Sequence, residues 1–366
     1  MKVAVITLHR VYNYGSALQA YATQRVLERM GHQVSIIDYI TPQRTKRRIL
    51  LAPSPEGVRG IKNILYRAAR IGSLALKERT FGRFVEENLH LTKRYITAED
   101  LERDPPEADI YVTGSDQTWN STYNEGVDRG FFLDFLPETA RRAAFAASFG
   151  KTELAAAEIA QTKRYIERYQ GLSVREDSAR HILEGLGRRD AVRLIDPTLQ
   201  LTKEEWLELA SPRLIEEPYL VLMLLYNEDH HAAEYARRIA DEKGLKLVKL
   251  SWELRKPGLV DKLMTHRTPS DFLSLFHYAD FVVTNSFHAT AFSIDLEKQF
   301  LVVPRSEFNS RIESLLRLTG LENRLAVDDR QALSAAGWEI DYAPVRSVLR
   351  SEREKAEAFI RSYIRQ

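Results

Sequence analysis

Residues 2–7 form a short apolar run, and a second apolar run follows at 34–40. Between them lie a polar loop, Asn13-Tyr14-Gly15, and a stretch in which Leu18, Tyr21, Ala22, Val26 and Met30 keep helical spacing. A strand, a loop, a helix and a strand inside about 40 residues make a βαβ unit, because parallel neighbours need a crossover and a helix is the usual one. Apolar runs this short and this continuous suit strands buried on both faces, as a parallel sheet between helices requires. Ser16 and Gln19 stand in the capping-box relation, which predicts Ser16 as the helix cap, and Gly31 suits the helix stop. The loop leaving the first strand then lies at the carboxyl end of the sheet, where open α/β sheets bind ligands.

The same grammar recurs along the chain. Further strands are predicted at 109–113, 143–148, 172–174 and 191–195, then at 219–226, 246–251, 281–284 and 300–303. Helices are predicted near 58–71, 74–88, 152–169, 230–243, 269–277, 288–296 and 310–318. At 366 residues the length favours about two domains. The pattern changes after Asp196-Pro197-Thr198, which predicts a first α/β domain over 1–205, a second over 206–341, and a charged amphipathic tail helix over 342–366. Residues 41–51, with Arg44, Lys46, Arg47 and Arg48, read as an exposed basic insertion, first of all a solvated surface, with an acidic partner or a membrane surface as the alternative.

Charge excludes some classes. The 53 basic and 51 acidic side chains give a net charge of +2, which does not suit a nucleic-acid-binding protein. No cysteine is present, so neither disulfides nor thiolate metal sites are available. The first ten residues lack the pattern of a signal peptide, and no window is apolar enough to span a bilayer, so a cytoplasmic chain is expected. No Walker or GxGxxG loop follows the first strand, and no HExxH or EF-hand pattern occurs. Asp229, His230 and His231 adjoin at a helix start, but neighbours on a helix point to different faces, and no metal is expected.

Polar residues collect instead at the carboxyl ends of predicted strands. They are Asn13, Tyr14, Gly15 and Ser16; Asp116, Gln117, Trp119 and Asn120; Arg175 and Glu176; Asn285, Ser286 and His288; and Asn309, Ser310 and Arg311. Each has a purely structural reading as well: a turn for Asp116, core for Trp119, a pair with Asp177 for Arg175, and a helix-start contact for His288. Around His288 the pattern is sharpest. A β-branched run, Phe281–Thr284, stops at Asn285-Ser286 and a helix pattern begins at once. Ser286 is placed to cap that helix, and its N-terminus, with His288 in the first turn, favours an anion.

These stretches, NYGSALQAYAT, GSDQTWN, SVRED, IDPTL, TNSFHATAFSI and FNSRIESLL, occur in the order in which they occur in the polysaccharide pyruvyl transferase family, which the chain resembles from about Val3 to Leu321. Ala289 departs from the family pattern, which more usually has Gly after the His. The resemblance implies two Rossmann-like domains facing across a cleft, similar to GT-B glycosyltransferases. It also implies transfer of a carboxyethylidene (pyruvyl ketal) group from phosphoenolpyruvate to two hydroxyls of a sugar in a surface glycan or its precursor. Phosphoenolpyruvate is then the donor substrate and no cofactor is needed. A glycan, in one form lipid-linked, is the acceptor, at the inner face of a membrane in that case. By the same resemblance His288 is the proton donor to the donor's methylene carbon and Arg175 grips its carboxylate. Asn285, Ser286 and Arg311 fall to the donor side. Asp116 is assigned as base, and Asn13, Tyr14, Gly15, Ser16, Gln117 and Trp119 to the acceptor side, with Trp119 stacking on the sugar. Two other readings stand beside it: a GT-B-type glycosyltransferase with a nucleotide-sugar donor, and a non-catalytic glycan-binding protein.

Overall fold

The computed structural model describes residues 1–54, 59–225, 230–253, 255–304, 310–326, 337 and 339–364. The chain divides into two compact units, Met1–Arg193 with Ile360–Gln366, and Leu194–Phe359. The expected boundary at 205 therefore falls late. Residues 194–205, including the Asp196-Pro197-Thr198 turn, belong with the second unit. The tail helix, observed as Tyr342–Tyr363, is not a separate segment, since its residues up to Phe359 belong to the second unit and its end to the first.

The first unit is built on a seven-stranded parallel sheet: β1 (Lys2–Ile6), β2 (Gln33–Tyr39), β3 (Leu91–Tyr95), β4 (Ile110–Thr113), β5 (Arg142–Ala147), β6 (Gly171–Val174) and β7 (Val192–Arg193). Its order is β3-β2-β1-β4-β5-β6-β7. The second unit has a five-stranded parallel sheet of β8 (Tyr219–Met223), β9 (Lys246–Ser251), β10 (Lys262–Thr265), β11 (Phe281–Thr284) and β12 (Gln299–Val302), in the order β10-β9-β8-β11-β12. Counted from its own first strand, each sheet runs 3-2-1-4-5, the doubly wound order. The winding reverses between β1 and β4 in one unit and between β8 and β11 in the other. Those two places are where such sheets take ligands.

Burial explains the strands. β1, β4, β5, β8 and β11 are buried along nearly their whole length, as strands covered on both faces must be. The two strands that the sequence pattern does not disclose, β3 and β10, each lie at one edge of their sheet, and each carries exposed polar residues such as Lys93, Arg94 and Lys262. Each unit has its own core, with Ile6, Ile37, Phe131 and Leu172 in the first and Leu220, Ile239, Phe281 and Leu301 in the second.

Helix α1 (Tyr14–Arg29) starts three residues earlier than the capping-box pattern predicts. Asn13, not Ser16, is its cap, accepting at Oδ1 from the amides of Gly15 (2.9 Å) and Ser16 (3.4 Å). Gln19 turns the other way and donates to Thr7 Oγ1 and to the Ser16 carbonyl. The basic insertion folds as a short helix α2 (Lys46–Leu51), followed by α3 (Ile61–Lys77). The helix expected over 74–88 is not separate. It continues from α3 through a wide turn, Glu78–Gly82, into Arg83–Asn88.

Candidate functional site

In the first unit the exits of β1, β4, β5 and β6 are tied into one buried polar cluster. The Ser16 hydroxyl, in the first turn of α1, donates to Asp116 Oδ2 at 2.5 Å. Asp116 sits just beyond β4 with φ +68°, a left-handed backbone that Asp tolerates better than most residues. Its Oδ1 accepts from the Gln117 amide at 2.9 Å and lies 3.6 Å from Arg175 Nη2. Arg175 leaves β6, and its Nε is 3.8 Å from Glu176 Oε2. Glu176 in turn accepts from the Ser148 hydroxyl (2.8 Å) and the Gly150 amide (3.3 Å) at the exit of β5. The arginine side chain is 2% exposed, between carboxylates that are 8% and 1% exposed. Two carboxylates flank the one guanidinium, and the Arg44 charge also acts on Asp116. Gly150, at φ +61°, lies so close to the Gln117 side chain that a Cβ there would collide with it.

Two residues expected on the acceptor side have buried rings. Trp119 packs into the core of the first unit. It is 2% exposed, lies flat against Phe132 (5.3 Å, 8°), packs on Phe149 and Tyr169, and donates from Nε1 to the Phe131 carbonyl. It is core, as an aromatic two residues past the turn becomes when the chain folds back over the sheet. Tyr14 likewise buries its ring against Phe81 at 5.0 Å. Asn13 and the Gly15 amide are used in capping α1. Gln117 remains at the cluster, its Oε1 accepting from Asn120 Nδ2 at 2.6 Å. Arg175 pairs with Asp116 and Glu176, while Asp177, the partner weighed for it, lies 3.7 Å from Arg193.

In the second unit β11 ends at Thr284 and the helix Phe287–Asp295 begins within three residues. Ser286 caps it as the sequence predicts, its Oγ accepting from the Ala289 amide at 3.4 Å. Asn285 faces the neighbouring strand exit: its Oδ1 accepts from the Leu225 amide (2.7 Å) and its Nδ2 donates to the Leu225 carbonyl (3.2 Å). It fastens β11 to β8 at the reversal point. His288 is buried in the first turn, with Nε2 3.8 Å from Asp196 Oδ2. The other oxygen of Asp196 caps the turn Pro197–Leu199, accepting from the Thr198 amide (2.9 Å) and hydroxyl (2.8 Å). Capping thus fixes one carboxylate oxygen and aims the other at the imidazole. Arg311 stacks over Phe287, 5.6 Å from the ring centre, and that ring is 5.2 Å from His288. Ala289 is fully buried. Asn309 and Asp229 lie outside the described residues.

Asp196 and Arg353 escape the sequence reading. Asp196 is 92 positions from His288, so no periodicity links them. The Asp-Pro-Thr turn after an apolar run is its only local sign. Arg353, in the helix Tyr342–Tyr363, donates to the carbonyls of Leu199 and Leu201 (2.8 Å each) and to Asp295 Oδ1 (2.7 Å). It thereby fixes the Asp196 turn to the far end of the histidine's own helix. Burial pushes the Asp295 carboxyl up to about 7, against the pull of Arg353.

A separate pocket of about 190 Å³ lies in the first unit, lined by Arg10, Tyr12, Arg44, Lys46, Glu78 and Arg94 among others. Three of its cations are paired with carboxylates, and Arg44 donates to Asn124 Oδ1 at 3.1 Å. Arg10 grips Asp38 through two nitrogens (2.7 and 3.1 Å), Arg94 and His9 reach the same carboxylate (3.0 Å each), and Lys46 meets Glu78 at 2.6 Å. Burial would raise the Asp38 carboxyl, but the bonds from His9 and Arg10 outweigh it and hold the group well below the usual carboxylate range. Among the described residues no cluster of three or more His, Asp or Glu is placed to hold a metal ion.

Two parallel α/β units of this strand order define the class, a GT-B-type fold. UDP-GlcNAc 2-epimerase from Rickettsia bellii is similar to the chain at 13% identity and a TM-score of 0.53, over 100% of this chain and 97% of that one. The Methanocaldococcus jannaschii enzyme in complex with UDP-GlcNAc and UDP is similar at 14% identity and a TM-score of 0.50, over 98% and 100%. At such identities the likeness is one of fold. No curated protein matches the chain. The family model for polysaccharide pyruvyl transferases matches residues 13–307, and the chain belongs to that family.

Proposed function

We propose that this protein transfers a pyruvyl ketal from phosphoenolpyruvate to two hydroxyls of a sugar in a surface glycan or its precursor. The observation that carries the reading is the buried His288 in the first turn of a helix, with a carboxylate aimed at its Nε2 from 3.8 Å. An imidazole there, with a carboxylate 3.8 Å from its Nε2, suits a general acid beside a bound anion. Membership of the family supports the same reaction.

In this reading His288 gives its proton to the donor's methylene carbon, which becomes a methyl group, and the positive charge develops at the adjacent carbon. One sugar hydroxyl attacks that carbon and loses its proton. The carbon–oxygen bond to phosphate breaks, phosphate leaves, and a second hydroxyl closes the ketal and loses its proton in turn. Of the two hydroxyl protons, one restores the imidazolium and the other leaves with phosphate. Arg175 is assigned the donor carboxylate, because a planar guanidinium meets a carboxylate through two bonds. Ser286, Asn285 and Arg311 shape the helix start for phosphate. Asp116, with Ser16 and Gln117 beside it, is assigned to take the first hydroxyl's proton, which then leaves with phosphate.

The test is phosphate release from phosphoenolpyruvate across a panel of lipid-linked and nucleotide-linked sugars, with mass analysis of the product. The expected product is heavier than its acceptor by one carboxyethylidene group. Release of UDP from UDP-GlcNAc with no phosphate from phosphoenolpyruvate would overturn the reading in favour of a glycosyltransferase. Sugar binding without turnover of any donor would overturn it in favour of a glycan-binding protein.

A further inference from the structure

Helix α3 is amphipathic the wrong way round for a helix packed on a soluble body. Taken at 100° per residue, Ile61, Ile64, Leu65, Ile71 and Leu76 fall on one face, and the polar residues fall on the other. The polar face is the one attached to the protein. Arg70 donates to the carbonyls of Ile49, Ala52 and Pro53, and Asn63 accepts from the Ser54 hydroxyl at 2.6 Å. The apolar face is left outside: Ile61 is 76% exposed, Ile64 69%, Leu65 64% and Ile71 57%. Leu51, at the end of α2, is 64% exposed as well. A contiguous exposed face of branched aliphatic residues marks a surface that is covered in use.

The charge around that face says what covers it. Residues 44–77 hold nine of the chain's 53 basic side chains and one of its 51 acidic ones, so the rest of the chain, 44 against 50, is net negative. A second copy would bring the same positive charge against this one. An apolar stripe edged by Lys and Arg instead matches the boundary between anionic head groups and acyl chains. We infer that α2 and α3 dock this protein on an anionic bilayer surface, with the Ile61–Leu76 stripe seated at the acyl boundary and Arg47, Arg48, Lys62 and Arg67 against lipid phosphates. The helix lies on the membrane: no helix among the described residues is long and apolar enough to cross one.

The full chain is spun down with vesicles of phosphatidylcholine alone and of phosphatidylcholine with a third phosphatidylglycerol, at low and high salt. Binding is expected to the anionic vesicles, weakened by salt. The Ile64→Glu/Ile71→Glu variant and the Arg47→Glu/Lys62→Glu variant are each expected to bind at least ~10-fold more weakly. All four side chains are exposed, so circular dichroism and melting should match the parent. Absence of binding to anionic vesicles overturns the inference. So does binding that neither variant weakens. Parallel sedimentation without lipid identifies the rival occupant: a dimer that Ile64→Glu/Ile71→Glu dissociates would show the face to be covered by a second copy.

Discussion

Where the winding of each sheet reverses, the first unit places Ser16 and Asp116 beyond β1 and β4, and the second places Asn285 and His288 beyond β11. The topology is the same and the fastening differs. In the first unit the charged residues hold the scaffold itself: Arg175 sits between Asp116 and Glu176, and through Ser148 and Gly150 the group links the exits of β4, β5 and β6. In the second unit the duties fall to different residues. Asn285 ties β11 to β8, Ser286 caps the helix, and His288 lies beside Phe287 and 3.8 Å from Asp196. Removing a cation set between two carboxylates should cost more stability than removing the imidazole.

Arg175→Ala sharpens this contrast most. It strips the cation from two buried carboxylates, and breaking a buried pair by removing one partner costs about 3–5 kcal/mol. A melting temperature lower by several degrees is expected together with loss of transfer. An unchanged melt would show that the first cluster is not the scaffold described here.

His288→Ala is expected to do the reverse. Transfer should fall at least ~100-fold, the scale of a lost general acid, with a smaller fall in the melt than Arg175→Ala gives. Asp196→Asn keeps the Thr198 cap acceptor and loses only the charge aimed at the imidazole. It is expected to lower kcat by about 10-fold with the donor KM held, since the proton donor is misaligned and not removed. Full activity in both folded variants would detach the chemistry from the second unit.

The contrast also explains what could be read from the chain. The interior strands β1, β4, β8 and β11 announce themselves because burial on both faces forces continuous apolar runs, and Ser286 announces its helix because capping is a local affair. β3 and β10 do not, since these two edge strands are polar and partly solvated, and LTKRY or KLMT looks like loop; the edge strand β12 is buried along most of its length and is legible. Trp119 reads from the chain as a stacking platform for a sugar or as core, and only its packing on Phe132, Phe149 and Tyr169 decides for core. Asp196 and Arg353 reach His288 and its helix from 92 and 65 positions away, through contacts that no local pattern encodes.

Gly150→Ala probes the first cluster from its backbone. The residue sits at φ +61° against the Gln117 side chain, so alanine meets both strain and a collision. A loss of about 1–3 kcal/mol is expected, with Gln117→Ala in the same chain restoring part of it by opening space. Restoration in that double variant, read by urea unfolding, assigns the cost to the contact; its absence assigns the cost to the backbone alone.

The smallest effect is one of sign, and it sets one carboxyl of each unit against the other. Asp38 is held well below its ordinary range, so its unfolded form takes up protons first as pH falls. Its contribution to stability is present above about 4 and drains away below. Asp295 is pushed up to about 7, so the folded chain keeps a proton there that the unfolded chain has already released. Its contribution falls as pH rises from about 4 to 7 and is flat above. Melting temperature measured from pH 3 to 8 should therefore respond to Asp38→Asn at the acid end and to Asp295→Asn only between about pH 4 and 7, where the substitution removes a downward slope. A slope in that window unchanged by Asp295→Asn would mean that Arg353 holds the carboxylate charged. The clamp between the Asp196 turn and the histidine's helix would then be an ion pair at neutral pH, not a hydrogen bond to a protonated acid.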